Sequence, residues 1–196
     1  MQSVRPSSST FSAGQAPVEE SAPSATKPTR AQPAAEQGGR RQELQPWAHA
    51  AVHESFTDAK MRSSAWAAYG FRIAPDVLAR LKERLNADRT SSGNRQLAIG
   101  HYLDAALRKV SGGVEEWIDL ATDFATERLW DAAATQPSSY RVGREAHEWV
   151  SGLSNALQAA EFGRRGTLVV SALVERILDS LEAEGPLTRP ERRRRG

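Results

Sequence analysis

Two stretches of this chain, AYGFRI (Ala68–Ile73) and SSYRV (Ser138–Val142), look like strands, yet each is too short to be stable alone. In the first, Tyr69, Phe71 and Ile73 alternate with Ala68, Gly70 and Arg72; in the second, Tyr140 and Val142 flank Arg141. Period-two alternation predicts strands with one apolar face. Each is followed by two helical patterns. After the first come APDVLARLKERLNADRT, with Pro75 in the opening turn, the break SSGNR and then QLAIGHYLDAALRKV, stopped by SGG at Ser111–Gly113. After the second come REAHEWVSGLSNALQAAE, the turn FGRRG and TLVVSALVERILDSLEAE. A shift of 69 lays Phe71, Arg72 and Ile73 on Tyr140, Arg141 and Val142. A shift of 71 lays Ile99, Tyr102, Leu103 and Leu107 on Val170, Leu173, Val174 and Leu178. The chain therefore contains an internal repeat of strand, helix, turn and helix.

A lone strand leaves both backbone edges without hydrogen-bond partners, so each must pair antiparallel with another copy. In such a ribbon Tyr69, Phe71, Ile73, Tyr140 and Val142 would pack on the helices, while Arg72 and Arg141 would face outward. A two-stranded antiparallel ribbon fits a DNA major groove, and arginine matches the two acceptors of guanine.

On the residues YGFRIAPDVLARL…SSGNRQLAIGHYLDAAL and SYRVGREAHEWV…GRRGTLVVSALVERIL, about half the chain, the sequence resembles the ribbon-helix-helix (MetJ/Arc/CopG-type) DNA-binding family. The resemblance implies a mainly α fold: tandem ribbon-helix-helix units, each a short strand plus two helices, joined by an acidic helix. It implies base contacts from Ala68, Gly70, Arg72, Ser139 and Arg141. It also implies a phosphate clamp at the start of each second helix, formed by Ser91, Ser92, Gly93, Asn94 and Arg95 in one unit. In the other unit the clamp falls on Arg164, Arg165, Gly166 and Thr167, and both sets supply hydroxyls, arginines and free amides. Two departures stand out. Gly70 has no side chain to offer a base, and Pro137 limits the length of the second strand. The two strands are able to pair within one chain or with their counterparts in a second; the unlike inner residues Phe71 and Tyr140 favour a homodimer.

The rest of the chain sorts by composition. Residues 1–46 hold six of the ten prolines and almost no large apolar residues, which predicts a disordered arm. Residues 47–64, with PWAHAAVHESF (Pro46–Phe56) at their start, read as a short helix or linker. The first unit spans 65–112, a connecting helix 113–135, the second unit 136–186 and a basic tail 187–196. The connecting pattern puts Val114, Trp117, Ile118, Ala121, Phe124 and Leu129 on one face and Glu115, Glu116, Asp119, Asp123 and Asp131 on the other. The acidic face should point away from phosphate. The formal charge of +2 is a poor guide to nucleic-acid binding, because removing both tails leaves 16 basic against 19 acidic residues.

Disordered arms of this kind, here with GGRRQ at Gly38–Gln42, are similar to those of ribbon-helix-helix centromere-binding partition proteins. That likeness implies a Walker-type partition ATPase as partner, with Arg40 or Arg41 stimulating hydrolysis and Lys27 and Arg30 as alternatives. The expected partners are thus double-stranded DNA, the ATPase and a second copy of the chain. A transcriptional repressor or antitoxin, or a protein-interaction scaffold, are the other readings. With no cysteine, thiolate metal sites are excluded. His49 and His53 lack a third ligand and read as a surface pair, and Trp117, Trp130 and Trp149 read as packing residues. No nucleophile with a base, P-loop or carboxylate pair is present, so no enzyme and no cofactor are expected. No apolar run reaches membrane-spanning length, and the expected location is cytoplasmic, on a nucleoid or plasmid.

Overall fold

The computed structural model describes residues 47–128 and 137–189. Its elements run α1 (Ala48–Met61), β1 (Ala67–Arg72), α2 (Pro75–Ser91), α3 (Ile99–Leu107), α4 (Val114–Arg128), β2 (Pro137–Val142), α5 (Arg144–Ala159) and α6 (Gly166–Glu184). A single 3-10 turn at Ser63–Ala65 joins α1 to β1. The described part is mainly helical with one small two-stranded antiparallel sheet. No described helix is long and apolar enough to cross a membrane. The expected arm, Leu129, Trp130, Asp131 and the arginines beyond Arg189 lie outside the described residues.

The two strands pair with each other inside one chain, which corrects the expectation of pairing between two chains. The register is Ala67 with Val142, Ala68 with Arg141, Tyr69 with Tyr140, Gly70 with Ser139, Phe71 with Ser138 and Arg72 with Pro137. The unlike inner faces fit through this register. The ring of Phe71, 2% exposed, lies opposite the small Ser138 and tilts against Tyr140 at 6.3 Å between centroids. Tyr69 meets Phe71 edge-on at 5.2 Å and His147 of α5 at 5.3 Å. Pro137 opens its strand, where a missing N–H costs the ladder least.

Beneath the ribbon the two repeats interlock. The second helix of the first repeat, α3, packs on β2 and α5; the second helix of the other, α6, packs on β1 and α2; and α3 and α6 pack on each other. Leu81, Tyr102, Leu103, Leu107, Ile177 and Leu178 are all fully buried there. Each such aliphatic side chain contributes roughly 2 kcal/mol to folding. The first residues before α2 and α5 are capped across the repeats. The amide of Ala74 donates to Ser171 Oγ (2.9 Å), and that of Gly143 to Asp104 Oδ1 (2.9 Å).

The region 47–64 is more than a linker. Helix α1 lies on α3 and α6, with Ala48, Val52 and Ser55 buried. Its N-terminus is held by the Glu184 carboxylate, which accepts the amides of Ala48 (2.7 Å) and His49 (2.8 Å), a negative charge where the helix dipole favours one. His49 and His53 reach the carbonyls of Gly185 (3.2 Å) and Thr188 (3.0 Å), so both tie α1 to the chain after α6. Helix α4 packs on α5 and α6, with Trp117 edge-on to Trp149 at 5.2 Å.

Candidate nucleic-acid interface

Because side chains alternate across a strand, the register decides what the ribbon shows to solvent. The outward residues are Ala68, Gly70 and Arg72 from β1 and Pro137, Ser139 and Arg141 from β2, all exposed. All five residues expected to meet bases therefore share one open face. Nothing lies within 4 Å of where a side chain on Gly70 would begin, which marks how open that face is.

The two arginines on the face differ in their surroundings. Arg141 donates from Nη2 to the carbonyls of Ser63 (2.9 Å) and Trp66 (2.8 Å), so the turn after α1 grips it. Arg72 has no hydrogen bond or ion pair among the described residues. The α1 turn was invisible as part of the face in the sequence; the only signal was a polar run, Arg62–Ser64, abutting the strand.

Beside Arg141 opens a groove of about 710 Å³ between the end of α1, the flank of α2, the start of α3 and β2. Its lining includes Lys82, Arg89 and Arg141 as cations and no carboxylate. Arg89 is partly committed, since Nε and Nη2 both donate to the Leu97 carbonyl (3.0 and 2.6 Å). That bond fixes the approach to α3, whose first residue is Ile99. Helix α3 touches the ribbon closely because Gly100 has no side chain: a Cβ there would sit 2.1 Å from the Arg141 carbonyl oxygen. The cap of α3 comes from His101, whose Nδ1 accepts the Ala98 amide (3.0 Å). Burial lowers the His101 pKa to about 4, which keeps the ring neutral and able to accept.

The residues expected as the phosphate clamp of the first repeat lie at the end of α2 and in the turn after it. Ser91–Arg95 closes α2 and turns the chain; it does not begin α3. Ser92 is buried, with Oγ on the Asp88 carbonyl (2.5 Å), and Ser91 Oγ donates to the Leu187 carbonyl (2.8 Å). Gly93 takes the left-handed φ of +66° that the turn demands, and Asn94 Oδ1 accepts the Gln96 amide (3.1 Å). Of that set only Arg95 is exposed without a partner among the described residues. The amides at the start of α3 belong instead to Ile99 and Gly100, at the edge of the cationic groove. In the second repeat the expectation and the helix start coincide: Arg165 is the cap of α6 and Gly166 and Thr167 open it. Arg164 is in left-handed conformation (φ 67°), and the Arg165 guanidinium lies over Phe162 at 4.6 Å.

The acids of α4 that are described, Glu115, Glu116, Asp119, Asp123 and Glu127, are exposed on a helix that packs on α5 and α6. None of them lines the groove beside Arg141. No protein-family model, curated protein or solved structure matches the chain.

Proposed function

We propose that this chain is a sequence-specific DNA-binding protein built from two ribbon-helix-helix units, which inserts the β1–β2 ribbon into the major groove. The observation that carries the proposal is the outward face of the ribbon: small residues and two arginines, open to solvent, on a strand pair of the width the groove admits. The cationic groove and the helix start at Ile99–Gly100 support it, since a backbone phosphate beside an inserted ribbon would meet donors there. The start of α6 at Arg165–Thr167 offers the same on the second repeat.

Within this reading the protein serves plasmid or chromosome partition, binding a centromere while its arm meets a partition ATPase through Arg40 or Arg41. Those two arginines lie outside the described residues, so this part of the proposal rests on the sequence. The chain works in the cytoplasm, on nucleoid or plasmid, and without catalysis of its own. A homodimer, where it forms, uses a surface other than the β1–β2 seam, which is already paired within the chain. The repressor or antitoxin reading shares the same ribbon. The decisive experiment is footprinting of the full chain on DNA flanking its own gene, followed by ATPase assays with and without residues 1–46. Protection of a discrete site supports DNA reading. A chain that protects nothing and prefers no duplex over random DNA refutes it.

A second reading has one observation in its favour. A groove of about 590 Å³ runs between α1, α3, α4 and α6, and it is lined by Trp47, Ala51, Val110, Trp117, Leu120 and Leu173, with no ribbon residue in its walls. Such a groove suits a partner protein, as the scaffold reading requires. DNA affinity unchanged by Arg72→Ala across a salt series would favour the scaffold over the ribbon.

A further inference from the structure

The register has a centre. Under the 69-residue shift that relates the strands, Gly70 and Ser139 are equivalent and also face each other, so the pseudo-twofold axis of the ribbon passes through that pair. Arg72 and Arg141 are then equivalent positions, one on either side of the axis. A symmetric ribbon would read the same base pair on both sides.

The donors available at the two positions are not the same. A guanidinium carries five N–H donors, two of them on each terminal nitrogen. Both modes by which arginine forks onto guanine O6 and N7 use Nη2, paired with either Nη1 or Nε. At Arg141 both Nη2 hydrogens are spent, one on the Ser63 carbonyl and one on the Trp66 carbonyl. At Arg72 none is spent on any described residue. The turn after α1 supplies this latch to Arg141; α4 precedes β2 as α1 precedes β1, but among the described residues no turn after α4 reaches Arg72. Across the strand, Arg141 faces Ala68 and Arg72 faces the rigid Pro137.

We infer that one chain reads an asymmetric DNA sequence, in which a guanine is specified under Arg72 and none is specified under Arg141. Arg141 holds the α1 turn against the ribbon and leaves only Nε and Nη1 for single bonds, which suits a phosphate better than a base edge. The recognised site is therefore non-palindromic, and a single chain is the complete reading unit. This inference rests on the DNA-binding proposal above.

The test is selection of bound duplexes from a random pool by the full chain and by Arg72→Ala, Arg141→Ala and Arg141→Lys, with the mass of each protein–DNA complex measured by sedimentation. The expected consensus has no twofold symmetry and is bound by one chain. Arg72→Ala should flatten one G·C position, with an affinity loss of about tenfold to a hundredfold there. Arg141→Ala should keep that preference while lowering the melting temperature, and Arg141→Lys should keep the preference even where the alanine variant is too unstable to assay. A palindromic consensus that loses matching guanines to either substitution, or two chains across one ribbon site, overturns the asymmetry while leaving DNA reading intact. Absence of sequence-dependent binding by the parent chain removes both.

Discussion

Replacing Asp104 by alanine tests how the ribbon is anchored to the helices. The carboxylate is fully buried and accepts four hydrogen bonds: from Ser55 Oγ (2.6 Å), from Arg108 Nε (2.9 Å) and Nη2 (2.5 Å), and from the Gly143 amide (2.9 Å). One side chain thus joins α1, α3 and the turn between β2 and α5. Alanine would leave a buried hydroxyl and a buried amide without acceptors, at about 1 to 3 kcal/mol each. Breaking a buried ion pair outright costs about 3 to 5 kcal/mol. Here Arg108 retains Asp58 at 3.1 Å and Glu54 at 3.7 Å, so its charge is not stranded and the low end of that range applies. These effects overlap, and the expected net loss is about 4 kcal/mol, measured by urea denaturation with the m-value unchanged. Ser55→Ala alone should cost about 1 kcal/mol, and the Asp104→Ala background should abolish that increment. A loss below about 1 kcal/mol for Asp104→Ala would show that the network does not hold the ribbon, and the account of α1 as part of the fold would fall with it.

Two further outcomes follow from the start of α3. Gly100→Ala would put a methyl carbon 2.1 Å from the Arg141 carbonyl oxygen, so α3 must withdraw from β2. Overpacking of this kind costs about 1 to 3 kcal/mol, offset by less than about 1 kcal/mol of helix propensity, and thermal denaturation should show a net loss where an exposed helical glycine would show a gain. His101 is 8% exposed, and its pKa falls from 6.5 to about 4 on burial among Phe56 and Trp66, against the opposing pull of Asp104. Its contribution to stability is fully present above pH 6.5 and is lost as pH falls toward 4, by roughly 3 kcal/mol in all. His101→Gln, which is able to keep the bond to the Ala98 amide, should flatten that part of the stability–pH curve measured by denaturation between pH 4 and 6.5.

Much of the architecture was legible because alternation and helical spacing are properties of single elements. Tyr69, Phe71 and Val142 show which way each strand faces before any partner is known, and the five outward residues follow from that. What the pattern could not show is pairing across distance. Phe71 and Tyr140 look mismatched as a list, and only the register that sets Phe71 opposite Ser138 makes them compatible. Helix α1 was legible only as a short helix or linker for a related reason: it packs through Ala48, Val52 and Ser55, whose small size permits close approach but leaves little hydrophobic signal. SSGNR was legible as the break between α2 and α3, whereas the start of α3 at Ile99 was not, since nothing in that break caps it. Those residues here end α2, and His101 caps α3 from inside. The two buried carboxylates, Asp88 and Asp104, were traceable only as i, i+4 partners of Arg84 and Arg108, a spacing that solvent-exposed helices share.

Putting both strands in one chain changes what each position is free to become. In a ribbon made of two identical chains every residue acts twice, so a substitution that helps one side must be tolerated on the other. Here the equivalent positions have separated. Gly100 admits the β2 backbone, whereas its counterpart Ser171 accepts the Ala74 amide. Asp104 binds Ser55 of α1, whereas its counterpart Glu175 pairs with Arg128 of α4. The same division explains why the turn after α1 latches Arg141 and no described residue latches Arg72. The flanking helices differ, so the two halves of the ribbon present different donors, and the asymmetry of the proposed DNA site follows from the chain that builds it.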